Sequence, residues 1–276
     1  MLIDCGREQA SEAVSKRVII TGAASGIGAA TAEALRERGA EVIGLDLQAG
    51  DGIVACDVTD QGSVEKAIGY AAERLGGLDA VVNCAGIGIP QSAAQPPDEA
   101  AARVIDVNLL GTWRVTAAAL PALRAAGGRV VNISSGLAHL AVPFATAYGA
   151  SKRGVVGYSD QLRAEVGDEV TVTTVYPGYI RTPIHDASKE AGIGLEGMVP
   201  PEPISEAVGT IVRAIYGKPA RDLATTRRGT LSYALLGLLP KGVVERAMRR
   251  QMRAAVKRGR VQPTPMTSDL LARFGK

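Results

Sequence analysis

The chain has 276 residues, of which 46% are hydrophobic and 4% aromatic, enough for one large α/β domain or two small ones. Two histidines exclude a multi-histidine metal centre, and the three cysteines lack metal-ligand spacing and are expected to be free thiols. No apolar run approaches the roughly 20 residues that cross a bilayer, and the N-terminus has no signal-peptide pattern. We therefore expect a cytoplasmic protein without a metal.

The net charge of +3 conceals an asymmetry along the chain. From Lys218 onward there are fourteen basic and three acidic residues, a net charge of +11, which leaves −8 for residues 1–217. A basic segment that follows an acidic body requires an explanation of its own.

Residues 1–16 are expected to form a loose arm. After them, the sequence predicts a strand at 17–20, a Gly-rich turn, a helix at 29–38 that ends before Gly39, and a strand at 41–45. This order predicts a βαβ unit that binds a mononucleotide.

The alternation of strands and helices then continues to about residue 226. The further predicted strands are 53–55, 80–82, 129–133, 170–175 and 222–226. The further predicted helices are 63–75, 98–126 (bent near Gly111 and Pro121), 148–166, 204–216 and 241–258. Such alternation predicts a Rossmann-type, doubly wound parallel sheet in a three-layer α/β/α domain over 17–228, with a loop over the site at 183–203 and a helical extension at 229–276.

The turn TGAASGIG at 21–28 follows a strand and opens a helix, which is the context in which such a turn binds a dinucleotide. Its glycines let backbone amides approach a pyrophosphate, and the helix N-terminus favours the negative charge. The residues assigned to this contact are Gly22, Ser25, Gly26, Ile27 and Gly28.

Asp46 ends the second strand, about twenty residues after the turn. A carboxylate there accepts hydrogen bonds from a ribose 2′-hydroxyl and repels a 2′-phosphate. No Lys or Arg lies in the turn or directly after Asp46. The sequence therefore predicts NAD rather than NADP as the cofactor.

Tyr148 and Lys152 are spaced i and i+4 at the start of a predicted helix, so both side chains lie on one face. A cation beside a phenol lowers the phenol pKa from about 10, and such a tyrosine could exchange a proton near neutral pH. Ser135, at the end of the preceding strand, could supply a second hydroxyl. The three residues indicate a site that interconverts an alcohol and a carbonyl.

Seven segments in order resemble the short-chain dehydrogenase/reductase family over about residues 16–217. They read TGAASGIG, CDVTD, NCAG, VNLLG, SS, YGASK and YPGYIRT. The resemblance implies a catalytic tetrad of Asn108, Ser135, Tyr148 and Lys152. In it, Tyr148 would exchange the alcohol proton, Ser135 would bind the substrate oxygen, Lys152 would lower the Tyr148 pKa and bind the ribose, and Asn108 would bend its helix and hold a relay water.

The resemblance also implies cofactor contacts beyond the Gly-rich turn, and Cys84 departs from it where the family usually has a second Asn. The additional contacts would come from Asp57 and Val58 at the adenine, from Asn83, Ala85 and Gly86, which would line the cofactor and support the sheet, from Tyr148 and Lys152, and from Pro177, Gly178, Ile180 and Thr182 near the nicotinamide. Ile180 and Thr182 would hold the carboxamide.

Apolar residues after Ser135 and Thr182 predict a small hydrophobic secondary alcohol or ketone as substrate, such as a steroid or another lipid. These residues are Val142, Pro143, Phe144, Tyr179, Pro183, Ile184, Ile193, Leu195, Met198 and Val199. Arg181 is the candidate for a substrate carboxylate, and His139 and His185 lie near the site in sequence. Two alternatives are an NADPH-dependent reductase of carrier-bound 3-oxoacyl chains and a non-catalytic protein that senses a dinucleotide.

The predicted helix at 241–258 has an apolar stripe, with most of its basic residues on the other side. The stripe consists of Val244, Ala247, Met248, Met252, Ala255 and Val256. This helix could dock on its own or a neighbouring subunit, or it could bind an anionic lipid surface peripherally. Nucleic-acid binding is not expected, and the resemblance implies a homodimer or homotetramer paired through helices 98–126 and 148–166.

Overall fold

The computed structural model of the chain describes residues 15–193, 200–225 and 241–274. Most of the predicted N-terminal arm and the predicted boundary near residue 228 lie outside these ranges. The division into an arm, a domain over 17–228 and an extension stays a prediction.

Seven parallel strands form one sheet in the order β3-β2-β1-β4-β5-β6-β7. The strands are β1 Arg17–Thr21, β2 Glu41–Asp46, β3 Ile53–Ala55, β4 Ala80–Asn83, β5 Arg129–Ile133, β6 Thr171–Tyr176 and β7 Asp222–Ala224. The central strands are almost continuously Val and Ile, which is typical of parallel strands covered on both faces. The predicted doubly wound fold is confirmed.

Side chains alternate between two hydrophobic cores, because successive residues of a strand point to opposite faces. Ile19 packs with the residues of one core, and Val18 and Ile20 pack with the residues of the other. The helices are α1 Gly26–Glu37, α2 Gln61–Arg74, α3 Glu99–Ile105, α4 Thr112–Ala126, α5 Thr146–Val166, α6 Asp186–Glu190, α7 Ile204–Tyr216, α8 Lys241–Lys257 and α9 Ser268–Phe274. Helices α2, α4 and α5 cover the first face, and α1 and α7 cover the second.

The long helix predicted at 98–126 is interrupted by a π-helical turn at Asp106–Gly111. Gly111 sits against Val58 so closely that an added Cβ would lie 2.8 Å from Val58 Cγ2. The interruption also places Asn108 inside the protein, where it is fully buried. The predicted bend near Gly111 is therefore present, whereas Pro121 lies within the continuous helix α4.

The predicted loop at 183–203 is partly helical. A short 3-10 turn at Pro183–His185 leads into α6, and Ile193 is buried. We call residues 183–193 the lid segment. Three residues assigned to the substrate, Leu195, Met198 and Val199, lie outside the described residues.

The described part of the C-terminal extension, residues 241–274, contains α8 and α9. Met252, Ala255 and Val256 of the predicted stripe are buried, Ala247 is exposed, and the side chain of Val244 lies outside the described residues. These side chains are buried within the chain, whereas contact of the helix with a neighbouring subunit or a lipid surface stays a prediction. None of the helices in the described ranges is long and apolar enough to span a bilayer.

Candidate active site

The Gly-rich turn presents a backbone cradle at the carboxyl edge of β1. A Cβ on Gly28 would lie 2.0 Å from the carbonyl oxygen of Gly22, and a Cβ on Gly22, whose φ is +68°, would lie 2.9 Å from Ala85 Cα. Ser25 caps α1 without a side-chain hydrogen bond, and the first turn of α1 contains no acidic residue. These features suit a pyrophosphate bound at the helix N-terminus.

The carboxylate of Asp46 is fixed beside this cradle by two backbone amides. Its Oδ2 accepts from Ala24 N and its Oδ1 from Leu47 N, each at 2.8 Å. The carboxylate is therefore preorganised at the end of β2, next to the Gly-rich turn.

The predicted adenine contacts, Asp57 and Val58, lie further along the same edge. Asp57 accepts hydrogen bonds from the hydroxyl and the amide of Thr59 at 2.7 and 2.9 Å, and these bonds hold its carboxyl pKa below the usual range. Arg103 and Leu110 also line this part of the cavity, which the sequence did not indicate.

A cavity of about 1200 Å³ runs along the carboxyl edge of the sheet. Ligand pockets for one small molecule measure roughly 300–1,000 Å³, so this cavity has room for a dinucleotide and a second molecule. Among the sequence-predicted site residues, those that line it are Gly22, Ser25, Gly26, Ile27, Gly28, Asp46, Asp57, Val58, Ala85, Gly86, Ser135, Tyr148, Lys152, Pro177, Gly178, Ile180 and Thr182.

Asn83 supports the sheet, as the resemblance implied, because its side chain faces the protein interior; its contact with the cofactor stays a prediction. Its amide nitrogen donates to Thr116 Oγ1 on α4 and to Asn132 Oδ1 on β5, both at 2.8 Å, and the residue is buried. It has the same strand parity as Val81, which packs in the core beneath α4. Asn83 supports the sheet and does not line the cavity.

Ser135 and Tyr148 form the hydroxyl pair that the sequence predicted. The Ser135 hydroxyl lies close enough to the Tyr148 phenol to influence its pKa, and Ser135 Oγ accepts a hydrogen bond from the amide of Leu137 at 3.2 Å. Burial raises the pKa of Tyr148, and the Ser135 hydroxyl acts in the opposite direction. The predicted acidification of the phenol is thus not a property of the protein by itself, in which burial outweighs the groups that favour the phenolate.

Lys152 lies on the same face of α5 as Tyr148, with Nζ 5.8 Å from the centre of the phenol ring. Burial lowers its pKa to about 8. Cys84 also lines the cavity near Lys152, and burial raises the pKa of its thiol to about 11. A buried thiol of this kind is an inert lining group at neutral pH.

Asn108 supports the site from behind the cavity lining. Its Oδ1 accepts from Ile87 N at 2.8 Å, and its Nδ2 donates to Ile87 O at 3.0 Å and to Ser151 Oγ at 3.1 Å. These bonds tie the π-helical turn to the loop after β4 and to α5. The relay water assigned to Asn108 stays a prediction.

The side of the cavity near Tyr148 is mainly apolar. A smaller adjoining pocket of about 60 Å³ is also lined by Tyr148 and includes Pro143 and Phe144. Apolar residues that line the main cavity and come from the segments after β5 and β6 and from α8 are Leu137, Leu140, Val142, Pro183, Ile184, Pro200, Met248 and Met252. The two methionines come from α8, whose position over the site no sequence pattern indicated.

The structure gives different positions to the three other candidates from the sequence, Arg181, His139 and His185. Arg181 is exposed and does not line the cavity, so the structure does not place it to meet a substrate carboxylate. The ring of His139 packs against Tyr176 with centroids 5.0 Å apart. His185 lines the cavity and packs edge-on against Tyr179.

The family model for short chain dehydrogenases matches residues 16–192. The chain belongs to the short-chain dehydrogenase family. The predicted membership is confirmed, and with it an oxidoreductase that acts on CH–OH groups.

Two similar proteins are named as dehydrogenases of hydroxy acids. The chain is 30% identical to a D-beta-hydroxybutyrate dehydrogenase from Rhizobium meliloti, over 78% of this chain and 88% of the relative. It is 34% identical to a trans-4-hydroxycyclohexanecarboxylate dehydrogenase from Sinomonas cyclohexanicum, over 67% of this chain and 80% of the relative.

A solved structure of the same family has the same fold. The ligand-free aldohexose dehydrogenase of Thermoplasma acidophilum is 26% identical and superposes with a TM-score of 0.68, over 76% of this chain and 92% of that one.

Proposed function

We propose that this short-chain dehydrogenase uses NAD(H) to interconvert a hydrophobic secondary alcohol and its ketone. The observation that carries the proposal is that Ser135, Tyr148 and Lys152 line one cavity together with the fixed carboxylate of Asp46.

The chemistry needs one proton and one hydride to leave the alcohol. A bound nicotinamide supplies the hydride acceptor, or in the reverse direction the hydride donor. Tyr148 Oη takes the hydroxyl proton in oxidation and returns it in reduction. Ser135 Oγ donates to the substrate oxygen and stabilises the charge that develops there. Lys152 adds a positive charge close to the phenol, which favours its ionised form.

The preference for NAD rests on Asp46. Two backbone amides orient the Asp46 carboxylate. It can therefore accept hydrogen bonds from both hydroxyls of the ribose without a conformational change. A 2′-phosphate at the same place would meet a negative charge that the backbone holds in position. The NADPH-dependent alternative predicts the opposite preference.

The hydrophobic character of the substrate rests on the apolar lining around Tyr148. Among the described residues that line the main cavity, the Lys and Arg side chains are Lys152 and Arg103. Arg103 is close enough to Asp57 to lower that carboxyl pKa, so it belongs to the adenine side. The hydroxy acids for which the relatives are named carry a carboxylate. Among the described lining residues near Tyr148, no Lys or Arg other than Lys152 is present to bind such a carboxylate.

The test is the Tyr148→Phe variant, with Tyr70→Phe as the matched control, because Tyr70 is exposed on α2. We expect Tyr148→Phe to bind NADH with the wild-type affinity in a calorimetric titration and to lose at least about a hundredfold in turnover, followed as NADH absorbance. Near-wild-type turnover would contradict the assignment.

Comparison of NADH with NADPH in the wild-type enzyme decides between the two cofactors.

We also infer a homo-oligomer that pairs through α4 and α5. Trp113 on α4 is 55% exposed and stacks on Tyr158 of α5 at 5.2 Å between ring centres. It is the single tryptophan of the chain. Light scattering should therefore give a multiple of 28.5 kDa, and dilution to monomers should shift the Trp113 emission to longer wavelength. A monomer at every concentration would contradict the inference.

A further inference from the structure

The C-terminal extension reaches the cavity in which Tyr148 lies. Met248, Gln251 and Met252 of α8 line the same cavity as Tyr148 and His185. The extension is thus part of the site and not an appendage to it.

Helix α8 is joined to α9 by a small hydrophobic core within the extension. Met252, Val256 and Val261 are buried together, and Leu270, Leu271 and Phe274 from α9 and its approach pack against them. Burial of such side chains stabilises by roughly 1.5–3 kcal/mol each, which is sufficient to hold the two short helices of the extension together.

The extension is also bonded directly to the lid segment. Gln262 N donates to Gly192 O at 3.2 Å, and Thr264 Oγ1 donates to Ala191 O at 3.3 Å. Gly192 has φ of +77°, and a Cβ on it would lie 2.9 Å from Thr264 Cγ2. The lid segment begins directly after Thr182, so these bonds bring α8 to the cavity from the lid side.

The surface that α8 turns toward the cavity differs from the surface that it turns outward. Met248 and Met252 present flexible thioethers, which adapt to irregular apolar shapes. Arg249, Arg250 and Arg253 are exposed on the other side. Burial lowers the pKa of His185, the lid-segment histidine that lines the same cavity, and so favours its neutral form.

We propose that the extension forms the outer wall of the substrate pocket and that Met248 and Met252 determine its specificity, for a neutral alcohol with a ring-sized apolar group remote from the hydroxyl. This rests on the proposed function and names its substrate class. The reaction balances as alcohol and NAD⁺ giving ketone, NADH and one proton.

Three probe alcohols separate size from charge: cyclohexanol, 4-tert-butylcyclohexanol and trans-4-hydroxycyclohexanecarboxylate. For the wild-type enzyme we expect kcat/KM to be at least about tenfold higher for 4-tert-butylcyclohexanol than for either of the others. A higher kcat/KM for the carboxylate than for 4-tert-butylcyclohexanol would overturn the proposed substrate class.

The decisive variant is Met248→Ala, with Met266→Ala as the matched control in the same extension. Met266 is exposed and does not line the cavity. We expect Met248→Ala to raise the KM for 4-tert-butylcyclohexanol about tenfold. The KM for cyclohexanol, and kcat for both alcohols, should stay within about twofold of the wild-type values. Equal changes for both alcohols, or the same effect from Met266→Ala, would overturn the role of Met248.

Gly192→Val tests the same wall without touching a residue that lines the main cavity. The added side chain must displace Thr264, so the KM for 4-tert-butylcyclohexanol should rise in this variant while NADH affinity stays at its wild-type value. An unchanged KM in both Met248→Ala and Gly192→Val would leave the extension without a part in specificity.

Thermal shift separates failure of this inference from failure of the proposed function. NADH alone should raise the Tm of the wild-type enzyme, and 4-tert-butylcyclohexanone should raise it further. A shift with NADH and none with the ketone overturns the substrate class alone. No shift with NADH overturns the proposed function.

Discussion

The ammonium group of Lys152 donates a hydrogen bond of 2.9 Å to the carbonyl oxygen of Ile133, at the end of β5. This bond holds Nζ close to the sheet. Tyr148 lies on the same helix face as Lys152, one turn before it in the chain. The lysine is only 4% exposed, and burial lowers its pKa from 10.5 to about 8. A buried charge with one protein acceptor costs stability, and function is the reason to retain it.

Replacement of Lys152 by Met should therefore stabilise the protein without cofactor at pH 7 while it abolishes activity. We expect a gain of about 1–3 kcal/mol in the free energy of unfolding, because each pH unit between the two pKa values corresponds to about 1.4 kcal/mol and the lost hydrogen bond offsets about 1 kcal/mol. The control is Lys66→Met, since Lys66 is exposed on α2.

The difference in unfolding free energy between Lys152→Met and the wild-type protein should decrease as the pH rises. Below pH 8 the folded protein carries the charged Lys152 and its full desolvation cost. As the pH rises from 8 toward 10.5, the folded state loses the proton first, so the wild-type stability recovers and the gap to Lys152→Met narrows. Urea unfolding at pH 7, 8 and 9.5 checks this, and a gap that widens with pH would contradict it.

Ser135→Ala should shift the pH dependence of alcohol oxidation toward higher pH. The Ser135 hydroxyl favours the phenolate of Tyr148, so its removal raises the tyrosine pKa further. The ascending limb of kcat/KM against pH then moves to higher pH, and kcat/KM falls by roughly a hundredfold as the oxyanion donor is lost.

Ser134→Ala is the comparison for that shift. Its hydroxyl donates to Lys152 O at 2.9 Å and is buried, so its loss should lower stability and leave the ascending limb at its wild-type pH. A shift in Ser134→Ala equal to that in Ser135→Ala would contradict the assignment of Ser135.

Asp46→Ala should reverse the cofactor preference. The variant loses charged hydrogen bonds to the ribose, worth about 1.5–3 kcal/mol, so kcat/KM with NAD should fall roughly ten- to a hundredfold. With NADP it should rise, because the repulsion of a 2′-phosphate is removed. Asp51→Ala is the control, since Asp51 is exposed and does not line the cavity. An unchanged ratio of the two cofactors in Asp46→Ala would remove Asp46 as the determinant.

Asn83→Ala should lower stability and leave cofactor binding unchanged. The substitution removes two buried hydrogen bonds, to Thr116 and Asn132, at a cost of about 1–3 kcal/mol in the free energy of unfolding. Chemical denaturation and an NADH titration give the two values. Weaker NADH binding with unchanged stability would instead support a contact of Asn83 with the cofactor.

The sequence predicted the first strand–helix–strand unit because its signals are local. A strand, a Gly-rich turn, a helix and a second strand that ends in Asp46 are all within thirty residues of each other. In a parallel sheet the carboxyl ends of all strands meet at one edge, so Ser135 and Thr182 had to come near that turn. The i and i+4 spacing likewise put Tyr148 and Lys152 on one helix face without any knowledge of what that face contacts.

The sequence held a signal for the direction of the Asn83 side chain, which supports the sheet as the resemblance implied. Asn83 follows Val81 by two positions in a strand, so both side chains point to the same face, into the core that α4 covers. The family motif groups Asn83 with Ala85 and Gly86, whereas only the last two lie beyond the strand end and line the cavity.

By itself, the sequence determined the order of strands and helices, the sheet edge that carries the chemistry and the residue types that carry it, because these follow from periodicity and from motifs of a few residues. The tertiary structure decided how deeply Tyr148 and Lys152 are buried, and therefore the direction of their pKa shifts, because burial depends on chain segments far apart in sequence. It also decided what α8 covers. An apolar stripe predicts that a helix packs on something, but only the folded chain places Met248 and Met252 over the cavity of Tyr148.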